Sequence, residues 1–173
     1  GHGMIVDNNI FDGLNGSAFH TSVHDNTVQI NGLASFTNNS VNDVNRIDKY
    51  LSGHSEGAIT FSWGGGNLNI ENNYFSSETG NYGVMGIFAG QPQNTDENLI
   101  VTGNEAYNFE WIIKILSPDS NPSENILITD NLFSNAGIND FTHLAGDTTM
   151  RFGCNELLDG TEIIIDPSNS ACE

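Results

Sequence analysis

Leu68-Asn69-Ile70-Glu71-Asn72-Asn73-Tyr74-Phe75 is the clearest copy of a pattern that recurs six times along the chain: apolar, any, apolar, any, any, Asn, any, apolar. The copies centre on Asn9, Asn39, Asn73, Asn104, Asn131 and Asn155. Five residues before each asparagine stand Met4, Ala34, Leu68, Leu99, Ile126 and Met150; three before stand Val6, Phe36, Ile70, Val101, Ile128 and Phe152. Two after stand Phe11, Val41, Phe75, Ala106, Phe133 and Leu157. Every one of these positions is apolar in a chain that is only 37% hydrophobic. The asparagines are 24 to 34 residues apart, so each unit is a fixed core plus loops of variable length. A period of this size implies stacked repeats.

Apolar residues two apart share one face of a strand, because side chains alternate. The asparagine and the small or polar residue before it (Asn8, Asn38, Asn72, Gly103, Asp130, Cys154) then form a corner between two strands. Asparagine tolerates the left-handed backbone that such a bend requires. Stacked corners also let the amide side chains bond from one unit to the next, as a structural ladder.

The pattern resembles the right-handed parallel β-helix of the pectate-lyase-like superfamily, whose coils carry an asparagine ladder at one turn. The resemblance runs from about Met4 to Asp166. It implies an all-β, single-stranded solenoid of about six coils. It leaves the chemistry open, since the superfamily holds lyases, hydrolases, epimerases, tailspikes and adhesins.

Composition agrees with strands: asparagine and glycine abound, and no 3.6-residue period is sustained. The 173 residues suit one domain with a sizeable core, spanning 4–173. Residues 166–173 form a tail expected to fold over the last coil. Gly1-His2-Gly3 reads as an expression remnant. No apolar run approaches the ~20 residues of a membrane span, and no signal peptide is present. An extracellular or cell-surface setting is expected.

A further apolar strand is expected in each unit, at Thr27–Ile30, Ile59–Trp63, Val84–Phe88, Trp111–Ile115, Phe141–Leu144 and Glu162–Ile165. In the resembled family this sheet and its flanking loops commonly form the substrate cleft. The longest connections are Asp12–Asn26 and Asn42–Gly57 before the sheet, and Gly90–Asn98 and Ser117–Asn125 after it. Long loops on a rigid scaffold are where function concentrates.

Four Lys and Arg face 22 Asp and Glu, for a net charge of −18. Such a surface repels nucleic acid and anionic membranes, and polyuronates too unless cations bridge them. The charge reads either as generic solubility, as in a saline habitat, or as calcium binding by Asp, Glu, Asn and backbone oxygens. No EF-hand or glycine-aspartate array locates a site for it. Cys154 and Cys172 are the only cysteines. A disulfide between them would close a loop of about 18 residues over the last coil, contributing ~3 kcal/mol in the chain-entropy model. It would also point to an oxidising compartment. Two free thiols are the alternative.

Polygalacturonase-type hydrolases of the resembled fold carry Asn-Thr-Asp, Asp-Asp, Gly-His-Gly and Arg-Ile-Lys in that order. This chain holds Gly1-His2-Gly3 and Asn94-Thr95-Asp96 in the reverse order, and neither of the other two. The paired carboxylates of inverting glycoside hydrolysis are therefore not identified. A polysaccharide lyase needs a base and a cation to handle the proton α to a uronate carboxylate. The whole basic supply is Arg46, Lys49, Lys114 and Arg151. Lys114 lies between Ile113 and Ile115, so alternation points it outward. Arg46 and Lys49 share a loop with Asp48, Tyr50, His54 and Glu56, the best catalytic cluster available. The competing reading is a solvated loop with local ion pairs.

His20, His24 and His143 fall on loops or the cleft-side sheet. His20 and His24 chelate a metal only on a helix, which Thr21-Ser22-Val23 disfavours. Trp63, His20 and His143 are candidate ligand contacts, with Trp111 a further ring at a strand end. Asn15-Gly16-Ser17 and Asn38-Asn39-Ser40 match the glycosylation pattern and are read as fortuitous. Ile5, Ile100 and Leu127 fall on the outward face, where the other units carry Ser35, Asn69 and Arg151. A loop or a partner chain is expected to cover that row, and the open end of the first coil implies either a piece of a longer β-helix or self-association.

Two functions are therefore carried forward. One is a non-enzymatic β-helix module for carbohydrate binding, adhesion or structural interaction. The other is a carbohydrate-active enzyme, a Ca²⁺-assisted lyase or a glycoside hydrolase. The few basic residues and the missing catalytic signatures favour the first.

Overall fold

A computed structural model describes residues 4–14, 17–21, 33–43, 57–63, 67–78, 83–89, 99–109, 111–116, 126–134, 141–143 and 150–164. Among them every regular element is a strand, and the strands lie in three parallel sheets. The first holds β1 (Met4–Asp7), β4 (Leu33–Thr37), β7 (Asn67–Glu71), β10 (Leu99–Thr102), β13 (Ile126–Thr129) and β16 (Met150–Gly153), side by side in that order. The second holds β2 (Ile10–Asp12), β5 (Ser40–Asn42), β8 (Tyr74–Ser76), β11 (Glu105–Tyr107), β14 (Leu132–Phe133) and β17 (Glu156–Leu157). The third holds β3 (Phe19–Thr21), β6 (Gly57–Trp63), β9 (Gly83–Ala89), β12 (Trp111–Leu116) and β15 (Phe141–His143). Each unit thus gives one strand to the first sheet and one to the second, and the first five units also feed the third.

Register follows the repeat. Met4, Ala34, Leu68, Leu99, Ile126 and Met150 pair across the first sheet, as do Val6, Phe36, Ile70, Val101, Ile128 and Phe152. Phe11, Val41, Phe75, Ala106, Phe133 and Leu157 pair across the second. These rows meet as one core, in which Phe36, Leu68, Ile70, Phe75 and Leu99 are fully buried. Each such side chain contributes roughly 1.5–3 kcal/mol of hydrophobic stabilisation. The Phe36 ring lies 5.9 Å from those of Phe11 and Phe19.

The corner between the first and second sheets is set by the residue before each asparagine. Asn8, Asn38, Asn72, Asp130 and Cys154 all have φ between 52° and 57°, and Gly103 has φ 65°. The left-handed bend therefore sits one residue ahead of the ladder asparagine, whose own backbone is left free to pair. A second corner follows four residues after the asparagine. There Gly13, Asp43 and Asn108 are left-handed in their turn.

The third sheet departs from expectation at its ends. Its first described strand is Phe19–Thr21, with Phe19 in register with Ile59; the strand expected at Thr27–Ile30 lies outside the described residues. Ser17 Oγ donates to Gly57 O and the Ala18 N–H to Ala58 O, which draws the chain into the sheet early. The connection expected over Asp12–Asn26 is thereby split. At the other end, Glu162 does not extend the third sheet. It makes an isolated antiparallel bridge to Glu156, because the Leu157–Gly160 turn reverses the chain there. Residues 166–173 lie outside the described residues.

Candidate functional site

The asparagine row is continuous. Asn9 Nδ2 donates to Asn39 Oδ1, Asn39 to Asn73, Asn73 to Asn104, Asn104 to Asn131 and Asn131 to Asn155, at 2.8–3.1 Å. The main-chain N–H of each of these donors goes to the same oxygen. From Asn39 onward, each Nδ2 also reaches back to the carbonyl of Val6, Phe36, Ile70, Val101 or Ile128. Buried amides satisfied on both sides are scaffold and offer no reactive group.

On the third sheet, His20, Thr60, Gly86, Lys114 and Thr142 occupy one register row. His143 falls in the next row with Thr21, Phe61, Ile87 and Ile115. Three strand spacings separate the His20 and Lys114 backbones, about 14 Å. The two positions lie along one line across the sheet. Trp63 ends β6 and Trp111 begins β12. Arg46, Lys49, His54 and Glu56 lie outside the described residues, as does His24.

The outer face of the second sheet carries a group the sequence reading did not single out. Tyr74 and Tyr107, on adjacent strands, have ring centroids 5.2 Å apart and planes inclined at 36°. Tyr74 is 41% exposed although it stands mid-stack. Polar side chains adjoin the pair. Tyr107 OH donates to Glu105 Oε2 at 2.9 Å, Ser76 Oγ to Asn42 Oδ1 at 2.9 Å, and Asn42 Nδ2 to Ser40 Oγ at 3.1 Å. The bond to Glu105 holds the Tyr107 proton, raising its pKa above the ordinary 10.0; desolvation and the nearby negative charge act in the same direction. The signal was in the sequence, at one and three residues after the asparagine in consecutive units. Only the register shows that those positions meet diagonally.

Elsewhere the charges act locally. The Asp7 carboxyl is held below its ordinary value by hydrogen bonds from Asn38 Nδ2 and then Thr37 Oγ1. Asp159 is lowered likewise by Thr161. Among the described residues no group of three or more His, Cys, Asp or Glu is placed to hold a metal ion. No described helix is long and apolar enough to cross a membrane. In the outward row of the first sheet, Ile100 and Leu127 are register neighbours and half-buried, whereas Ile5 is 72% exposed. Cys154 is disulfide-bonded; Cys172 lies outside the described residues.

No protein-family model, curated protein or solved structure matches this chain.

Proposed function

We propose that the chain is a parallel β-helix of the pectate-lyase-like kind, each unit one coil, acting as a non-catalytic carbohydrate-binding module. Three parallel sheets fed in rotation and an asparagine ladder at one corner support the architecture. Right-handed coiling follows from the strong preference of parallel crossover connections.

The observation that carries the binding reading is the Tyr74–Tyr107 pair. The exposed Tyr74 ring, with the half-buried Tyr107 ring tilted beside it, offers an apolar face for the C–H groups of a sugar, and amphipathic rings of this kind are favoured at binding surfaces. Glu105, Ser76, Asn42 and Ser40 supply the acceptors and donors that hydroxyl groups require. With a net charge of −18, the ligand is a neutral polysaccharide, met at a cell surface or in an extracellular matrix.

Depletion from solution by insoluble neutral polysaccharides tests this. Wild-type protein is expected to bind, and Tyr74→Ala and Tyr107→Ala to weaken binding about tenfold. Absence of wild-type binding to every neutral polysaccharide sinks the reading.

A catalytic reading draws on the line of His20 and Lys114 across the third sheet. An ultraviolet assay for unsaturated products on polyuronates, with and without Ca²⁺, separates the two. Turnover abolished by Lys114→Ala would replace the binding module with a lyase.

A further inference from the structure

The hydrogen-bonding groups around Tyr74 have a polarity. Ser40, Tyr74 and Glu105 share one register row on the outer face of the second sheet, because the residues that follow them, Val41, Phe75 and Ala106, are buried in the core. Asn42, Ser76 and Tyr107 form the next outward row, two residues on. In that second row the donors are mostly taken. The Ser76 hydroxyl donates to Asn42 Oδ1, Asn42 Nδ2 donates to Ser40 Oγ, and the Tyr107 hydroxyl donates to Glu105 Oε2.

The groups left open stand on the Tyr74 row, one on either side of the ring. Ser40 Oγ accepts from Asn42, and its own hydrogen has no acceptor among the described residues. Glu105 uses Oε2 for Tyr107, and Oε1 has no donor among the described residues. Ser40 and Glu105 each lie one strand from Tyr74, so their backbones are about 10 Å apart. An open donor thus faces an open acceptor across a ring that is 41% exposed.

We propose that this row seats one ring of a neutral glycan with free hydroxyls, its two hydroxyl-bearing edges turned toward Ser40 and Glu105, so that the glycan runs along β8 and crosses the stack. The inference rests on the binding reading of the Tyr74–Tyr107 pair. An ionised carboxylate only accepts, so the group that meets Glu105 must donate. In a linear glycan joined through opposite ends of each ring, the end oxygens are glycosidic and carry no hydrogen. Only the side edges keep hydroxyls. The edge at Glu105 is therefore a side edge, and the glycan axis lies at right angles to the Ser40–Tyr74–Glu105 row. A hydrogen bond to an ionised acceptor is stronger than one between neutral groups, which makes Glu105 the main specificity-determining contact. Hydroxyls capped as ethers cannot donate to it and are refused.

Affinity electrophoresis of the intact chain in gels containing galactomannan, mixed-linkage β-glucan or arabinoxylan tests this. Where a gel retards the wild type, the O-methylated form of the same polysaccharide should not, a comparison that needs no variant to fold. Glu105→Ala should weaken binding about tenfold and Ser40→Ala a few-fold, with Glu105→Gln between them because its amide oxygen still accepts. Ile10→Thr and Leu132→Thr, at the next positions of the row on either side, should leave binding unchanged. Equal retardation by the O-methylated form overturns the proposal. So does a loss at Ile10→Thr and Leu132→Thr as large as at Glu105→Ala, which would lay the glycan along the stack. Binding that is lost in Tyr74→Ala but kept in both Glu105→Ala and Ser40→Ala overturns this inference and leaves the binding reading standing. No retardation of the wild type in any gel overturns both.

Discussion

Asn104 donates both its main-chain N–H and its Nδ2–H to the side-chain oxygen of Asn131, each at 2.9 Å, and both residues are buried. Asn104 Oδ1 in turn receives the same pair of donors from Asn73. Truncating Asn104 therefore strands the two buried donors of Asn73 and removes the Nδ2–H that the Ile70 carbonyl accepts, while the Asn104 N–H keeps its bond to Asn131. Each unsatisfied buried group costs about 1–3 kcal/mol. Asn104→Ala is expected to lose ~3 kcal/mol or more in urea denaturation. Asn9→Ala, at the exposed end, should lose under about 1 kcal/mol. Equal losses would show that the ladder does not act through burial.

Gly103 takes the left-handed corner position with φ 65°, and a Cβ there would collide with the side-chain oxygen of Asn72. Gly160 has φ 81° but open space around it. Both alanine substitutions carry backbone strain of about 1 kcal/mol, and only Gly103→Ala adds the clash. Gly103→Ala should thus lower the thermal midpoint by more than Gly160→Ala. Gly103→Asn is the informative control, since Asn8, Asn38 and Asn72 already occupy this position elsewhere.

Two of the three sheets were legible in the sequence because their strands sit at fixed offsets from the asparagine. A residue five before, three before or two after is inward whatever the loops do. The third sheet lies beyond loops of variable length, so its strands have no fixed offset, and Phe19–Thr21 escaped for that reason. Its alternation is also broken where it begins. Ala58 and Ile59 are both buried, and so are Ile112 and Ile113. The corner was located correctly but its left-handed residue was not: position is set by spacing, whereas φ is set by which amide must stay free for the ladder. The second corner was readable from Gly13, Asp43 and Asn108, four residues after their asparagines. The Tyr74–Tyr107 pair depends on diagonal contact, which needs register as well as spacing.

The Tyr107 hydroxyl can be followed by its pH dependence. Its pKa is raised, first by the hydrogen bond to Glu105, so the neutral phenol is favoured in the folded chain. By linkage that contribution is fully present below the ordinary tyrosine value of 10.0 and is lost as pH rises through the higher folded value. An ultraviolet titration of phenolate formation should show one tyrosine ionising later than the ordinary value. Glu105→Gln should bring it earlier by removing the charged acceptor, while Tyr107→Phe removes the late step altogether. A Tyr107 that titrates normally in the wild type would show that the hydroxyl is not held by Glu105.

Reduction of the disulfide should act first at one end of the stack. Cys154 stands at the last left-handed corner, φ 52°, beside the asparagine that Ile163 covers. Where the partner is Cys172, the chain's other cysteine, the bond would restrain the chain beyond the segment that caps this end. In the chain-entropy view, opening that loop costs about 3 kcal/mol of global stability. The local effect is sharper. Once the disulfide is open, the Ile163 bond to Asn155 still has the Leu157–Gly160 turn and the bridge from Glu162 to Glu156 beside it among the described residues. Amide exchange with reductant should accelerate first at Ile163 and Leu157, then in β16 and β17, leaving β1 and β2 at their original rates. Acceleration spread evenly over all six units would mean that the disulfide does not hold the segment around Ile163 against Asn155.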